Sequence, residues 1–289
     1  MDARLTELEI LTRIGQQESL SVPPLTGEKR DLIAFLVWRG YVNDLNIPWE
    51  HGHAGHGLPG ESILERQLHQ SRIDTLSQIL GGQPALLRIT HAGRVRIAEL
   101  TEAFRSSRIR EPFGILWDGR HFDSDLKIRL LDASSSSLLA VIYMDLNGMK
   151  DVNDKYGHYA GDLVIRAYFT AVSTGLDDKA DAYRLGGDEV GIVLSSTSRS
   201  DAVAMVRKVC LLLMSEHLRY NDLVLPRVSI AAGMVVTPNP SDSVLDLKNK
   251  ADHEMYKAKE FTNDKPSRPS SLAIASENDV QEFHFEQPT

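Results

Sequence analysis

The sequence is poor in the features that mark several large classes of protein. Its single cysteine, Cys210, rules out an intramolecular disulfide framework. Within Val209 to Met214 that residue reads as a small buried hydrophobe and not as a nucleophile. No apolar run approaches the roughly 20 residues of a membrane span, and Met1 to Glu7 lacks the apolar core of a secretory leader. A cytoplasmic location without membrane association is the expectation. Strong charge of one sign is also missing: residues 1–110 hold 13 basic and 13 acidic side chains, and the whole excess of −8 lies beyond them. With no broad positive field, nucleotide chemistry in the acidic region would have to use a metal and a few placed cations.

What is present fits a packed globular chain, with 42% hydrophobic and 25% charged residues over 289 positions, enough for one large or two ordinary domains. Leu5, Leu8, Leu11 and Ile14 recur at helical spacing. A second helix is expected from Glu28 to Trp38 after Thr26, and a third from Glu61 to Leu80, ended by Gly81 and Gly82. Ala85 to Thr90 reads as a strand, His91 to Arg94 as a turn and Val95 to Phe104 as a helix. This last succession resembles the end of winged-helix domains, so residues 1–104 are expected to be a mainly helical, winged-helix-like regulatory or dimerisation domain. The candidate recognition helix carries Glu61, Glu65 and Asp74 against Arg66 and Arg72, which favours interaction or dimerisation over DNA binding. His51, His53 and His56 have metal-ligating chemistry. With no flanking cysteine and only Glu50 near them, they read as part of a glycine-rich surface loop. Residues 105–112 read as a linker.

The chemistry is concentrated in two stretches. Ser137 to Met144 is a continuous apolar run, expected to be a strand buried on both faces, and it ends at Asp145, Leu146, Asn147 and Gly148. Tyr183 to Leu194 reads as a hairpin turning at Gly186 and Gly187, with Asp188 and Glu189 at an exposed tip. Glycine there permits positive φ and close approach by a ligand, and rigidly held carboxylates suit a hard cation.

Taken together, Asp145 through Asp162 followed by Gly186, Gly187, Asp188 and Glu189 resembles the GGDEF family, the diguanylate cyclases that join two GTP molecules into cyclic di-GMP. The resemblance covers about Glu111 to Lys259 and implies a ferredoxin-like palm at residues 113–265, so that the fold class is α+β. It further implies that Asp145 and Asp188 hold Mg²⁺, for which Mn²⁺ can substitute, with the Leu146 carbonyl as a third oxygen. Glu189 is then a second ligand for the two-ion site or assists deprotonation of the attacking hydroxyl. Asn153 and Asp162 match the pair that reads the guanine edge, Lys150 and Lys259 the phosphate lysines, and the backbone at Gly148 and Met149 a phosphate cradle. Because each palm holds one nucleotide, the resemblance implies a catalytic homodimer.

Several residues depart from the family pattern. Val190 stands where the family has Phe, Asn147 in place of the second strand-end acid, and Asn263 where a closing Arg would be, with Lys265 as its possible replacement. The opening motif, Glu111 to Phe122, is a poor match, and Asp177 to Asp181 contains no Arg-x-x-Asp, so product inhibition through that motif is not expected. The competing readings are a GTP-binding sensor that does not cyclise, a palm cyclase making a different dinucleotide, and a DNA-binding regulator. Residues 266–289 are expected to be a polar, flexible tail with an edge strand at 272–275.

Overall fold

The computed structural model describes residues 3–17, 19–23, 25–46, 74–82, 84–263, 265, 268–275 and 279–283. It divides into two compact units, Met1–Ser107 and Arg108–Thr289. No helix among the described residues is long and apolar enough to cross a membrane.

In the first unit, α1 (Ala3–Gly15), β1 (Leu20–Val22), α2 (Gly27–Trp38) and β2 (Val42–Asp44) precede helical residues 74–82, here α3, then β3 (Ala85–Ile89) and α4 (His91–Ser106). The three strands form an antiparallel sheet in the order β1-β3-β2. Leu8, Leu11 and Ile14, the periodic residues of α1, are buried, and Glu7 of α1 accepts from Arg96 of α4 at 3.0 Å. The expected turn at His91–Arg94 is instead the first turn of α4, because the Thr90 hydroxyl accepts from the Gly93 amide and caps the helix. Most of the expected Glu61–Leu80 helix, and His51, His53 and His56, lie outside the described residues.

In the second unit a seven-stranded sheet runs β12-β11-β10-β5-β7-β6-β4. Its elements are β4 (Trp117–Asp118), α5 (Phe122–Leu130), β5 (Leu138–Asn147), α6 (Met149–Tyr156), α7 (His158–Gly175), β6 (Ala180–Gly186), β7 (Glu189–Thr197), α8 (Arg199–Ser215), a small hairpin of β8 (Arg219–Tyr220) and β9 (Leu223–Val224), β10 (Ser229–Thr237), α9 (Val244–Asn263), β11 (Ser270–Ile274) and β12 (Val280–Phe283). The central order β10-β5-β7-β6, with antiparallel neighbours, is the ferredoxin-like arrangement of a palm.

Strand alternation assigns the two faces of β5. Ala140, Ile142, Met144 and Leu146 join the core under α7 and α8, whereas Leu139 and Val141 join Phe122, Leu126, Leu130, Leu247 and Ala251 under α5 and α9. Asp145 therefore faces α9. That helix lies directly on the sheet at Gly233, where a Cβ would come within 2.0 Å of the Met255 amide nitrogen.

The C-terminal segment differs from its sequence-based expectation. Residues 270–274 are buried and pair in parallel with β10, and β12 pairs outside them, so β11 is an interior strand. Its polar Ser271 is accommodated because Thr262 and Ser271 share a 2.7 Å hydrogen bond and Ser271 donates to the Ala258 carbonyl at 2.9 Å. The expected linker is also structured at its end: Glu111 is buried and its carboxylate accepts from the amides of Phe113, Ile115 and Leu116.

Candidate active site

The site gathers at the ends of β5 and β7 and along α9. Asp145 is 5% exposed, and its Oδ1 accepts from Lys259 Nζ at 2.7 Å. The register that pairs Met144 with Val190 and Gly186 with Glu189 carries the β6–β7 turn to the end of β5. The turn residues are Gly187 and Asp188, one step later than the sequence suggested. Neither Gly186 nor Gly187 has a left-handed φ. A Cβ on Gly186 would stand 3.1 Å from Glu189 Oε2, whereas one on Gly187 would meet nothing within 4 Å, so the turn crowds only the first of the pair.

Asp188 and Glu189 do not form a common exposed tip. Glu189 is exposed at the start of β7, while Asp188 is half-buried. Burial first, and then the charges of Asp145 and Glu189, raise the Asp188 pKa, against which Lys259 acts. Lys259 is thus ion-paired with Asp145 and its charge also acts on Asp188 in the neighbouring turn. Arg184 braces the turn from behind: Nε donates to the Gly187 carbonyl at 3.0 Å and Nη1 lies 3.6 Å from Glu111 Oε2, with the guanidinium over Phe113 and Phe169. Val190 is fully buried in the core on the α7–α8 side.

The donor set fits a hard divalent cation, because the mutual repulsion of Asp145 and Asp188 is the cost such an ion relieves. Among the described residues no three His, Cys, Asp or Glu side chains form a protein-only cage. An ion here would draw the rest of its shell from carbonyl and substrate oxygens, as Mg²⁺ sites commonly do.

Beyond β5, Gly148 adopts a left-handed φ of 85° and opens α6, whose first residue is Met149. Lys150 is exposed on the same turn. Asn153 of α6 packs against the first turn of α7: a Cβ on Gly161 would lie 2.0 Å from Asn153 Oδ1, so any larger residue there would displace the Asn153 side chain. Asp162 follows at once and is exposed. The cation expected from Lys265 is committed elsewhere, since Lys265 pairs with Glu282 of β12 and lies over the Phe261 ring. Sequence reasoning did not single out Arg268, whose Nη1 donates to Asp151 Oδ2 at 2.6 Å beside Gly148. No periodic signal marks that residue in its polar surroundings.

A family model described as "Diguanylate cyclase, GGDEF domain" matches residues 114–265, more than half of the chain. The chain belongs to the GGDEF family. Diguanylate cyclase TpbB of Pseudomonas aeruginosa is 27% identical over 229 residues, which are 78% of this chain and 52% of the relative. The chain thus spans about half the length of that curated relative. The structure of a shortened PA1120 (TpbB or YfiN) from Pseudomonas aeruginosa, comprising only its GGDEF domain, superposes with a TM-score of 0.52 at 27% identity, covering 58% of this chain and 95% of that one. The GGDEF domain of DgcB from Caulobacter crescentus, in complex with c-di-GMP, shares the fold with a TM-score of 0.51 at 20% identity over 56% of this chain and 92% of that one. The GGDEF unit here accordingly has a palm of known type, with the altered positions Asn147, Val190 and Asn263 set in it.

Proposed function

We propose that the protein is an active diguanylate cyclase, condensing two GTP into cyclic di-GMP with release of two pyrophosphates at a homodimer interface. The observation that carries this reading is the ion pair of Asp145 with Lys259 at the end of β5, beside the β6–β7 turn that holds Asp188. The name of the TpbB relative supports it. Asp145, Asp188 and the Leu146 carbonyl would hold Mg²⁺, with Glu189 able to join a second ion. When bound, the metal neutralises charge at the reacting phosphate and acidifies the attacking hydroxyl. Glu189 accepts the proton of the ribose 3′-hydroxyl as its oxygen bonds to the α-phosphorus of the facing GTP, and the bond to pyrophosphate breaks in line. Lys259 and Lys150 offset phosphate charge. Asn153 and Asp162 accept from the guanine N1 and N2 hydrogens, a pattern adenine does not present. The winged-helix-like unit is proposed to set the geometry of the dimer.

Incubation of the purified chain with Mg²⁺ and GTP, ATP or both tests this reading. Cyclic di-GMP is expected from GTP alone, and Glu189→Gln should abolish it while leaving the melting temperature in place. The second reading, a sensor that binds GTP without turnover, is favoured by Val190 and the poorly matching opening motif from Glu111 to Phe122. It prevails if no cyclic di-GMP forms at high protein concentration while GTP still binds.

A further inference from the structure

The register that sets Tyr143 opposite Gly191 and Met144 opposite Val190 carries on to Asp145 and Glu189, so Tyr143, Asp145 and Glu189 share the sheet face under α5 and α9. On its other flank Tyr143 pairs with Gly233 of β10. Both neighbours lack a side chain, and each seats a helix. A Cβ on Gly191 would lie 2.7 Å from the Phe122 ring of α5, and one on Gly233 would lie 2.0 Å from the Met255 amide nitrogen of α9. Tyr143 is thereby the floor of a groove between the two helices, with its ring edge-on to Phe122 at 5.7 Å.

Two features of this tyrosine are unexplained by packing. Its strand neighbours Ile142 and Met144 are fully buried, whereas Tyr143 keeps part of its surface open on the central strand. Its hydroxyl makes no hydrogen bond among the described residues, although a tyrosine in such a place usually finds a partner. The groove around it is acidic. Burial, and then the charges of Asp123 on α5, Asp252 on α9 and Glu189, push the Tyr143 pKa up, so the phenol stays protonated and available as a donor. Lys248 pairs with Asp123 at 2.6 Å and ties α9 to α5. It lies about three turns, or roughly 16 Å, before Lys259 on α9. The groove is therefore tied shut at its far end and open toward Glu189.

We propose that Tyr143 reads the ribose 2′-hydroxyl of the nucleotide whose 3′-hydroxyl is presented to Glu189, and so makes the chain select ribonucleotides over deoxyribonucleotides. Tyr143 has this role only under the cyclase reading, in which Glu189 takes the proton of that 3′-hydroxyl. The 2′-oxygen is borne on the next ring carbon. Tyr143 is the diagonal neighbour of Glu189 across β5 and β7, a separation of about 7–8 Å that an aromatic side chain spans. The 2′-hydroxyl is both donor and acceptor: it takes the phenol proton, and its own proton faces the groove carboxylates. A deoxyribose would leave the phenol unpaired, which is how a polar site rejects an analogue lacking one hydroxyl.

The test compares GTP with 2′-deoxy-GTP as substrates of the full chain in Mg²⁺, with the cyclic products resolved. The wild type should favour GTP in kcat/KM by about tenfold, the scale of one hydrogen bond. Tyr143→Phe keeps the ring and its contact with Phe122, and it should bring the two nucleotides close to parity by lowering kcat/KM for GTP alone. A wild type that uses both nucleotides equally, or a variant that loses both activities in equal proportion as a merely structural tyrosine would, overturns the proposal. Product from neither nucleotide sinks the cyclase reading and this role with it. Cyclic di-GMP formed with a preference that Tyr143→Phe leaves in place sinks the role of Tyr143 alone.

Discussion

Replacing Lys259 by Met tests whether this side chain stands in for a metal at the paired acids. The change keeps the stem that packs along α9 and removes the cation 2.7 Å from Asp145 Oδ1. Breaking a fully buried ion pair costs about 3–5 kcal/mol, because a charge is left uncompensated. The Asp145 side chain is 7% exposed but that of Lys259 is 37% exposed, and screening by solvent brings the expected loss to about 2 kcal/mol. For a domain of this size that is a fall in melting temperature of about 4–8 °C.

The pH dependence supplies a sign that packing loss would not. Asp188 has a raised pKa in the folded state, so the folded protein holds that proton more tightly than the unfolded chain. Its ionisation destabilises the fold as pH rises from about 4, the ordinary carboxyl range, through the raised value. Lys259 opposes this cost only once Asp188 is charged. The Lys259→Met penalty should consequently be larger at pH 7 than near pH 4, the difference being the part that Lys259 contributes against ionised Asp188. Urea denaturation at both pH values, extended to Asp145→Asn and the double variant, should give a coupling of about 1–2 kcal/mol at pH 7. A penalty equal at the two pH values, or a coupling near zero, would refute the compensating role.

Two further outcomes are expected. Gly161→Ala should keep or raise stability, since alanine favours a helix by up to about 1 kcal/mol over glycine, yet it must displace Asn153 Oδ1, only 2.0 Å from the new Cβ; the ratio of GTP to ATP affinity, read by competitive titration, should fall about tenfold with the loss of one polar contact. Tyr168→Phe should raise the melting temperature by about 2–4 °C, because the Tyr168 hydroxyl is fully buried without a partner among the described residues, and burial pushes its pKa well above the usual phenol value; a drop on calorimetric scanning would show that the hydroxyl is satisfied.

The parts of the palm that were legible in advance are those with long, regular patterns. The β5 run and the hairpin both stand within a few residues of expectation. At Gly157, where φ is 82°, the chain breaks between α6 and α7. Three-residue strands such as β1 and β2 are too short for a period to register. Strand β11 was disguised by Ser270 and Ser271, whose burial depends on partners distant in sequence. The places of Asp145 at the end of β5 and of Asp188 in the β6–β7 turn were readable because acids beside apolar strand runs stand out locally. Arg268 was not, since it meets Asp151 across 117 positions of chain and no local rule connects them.

The close seat of α9 on β10 at Gly233 has a consequence for how the candidate site can fail. With no side chain between helix and strand at Gly233, Lys259 rides on a helix seated directly on the sheet and Asp145 on its central strand. Substitutions that loosen the rim, in the β8–β9 hairpin or β12, should erode yield and solubility long before they degrade the reaction centre. Damage at the helix–strand contact allows no such gradation, because the centre and the core that carries it form one cooperative unit. Natural variation in this protein is expected to separate along that line, with graded effects at the edges and all-or-none effects at the seam.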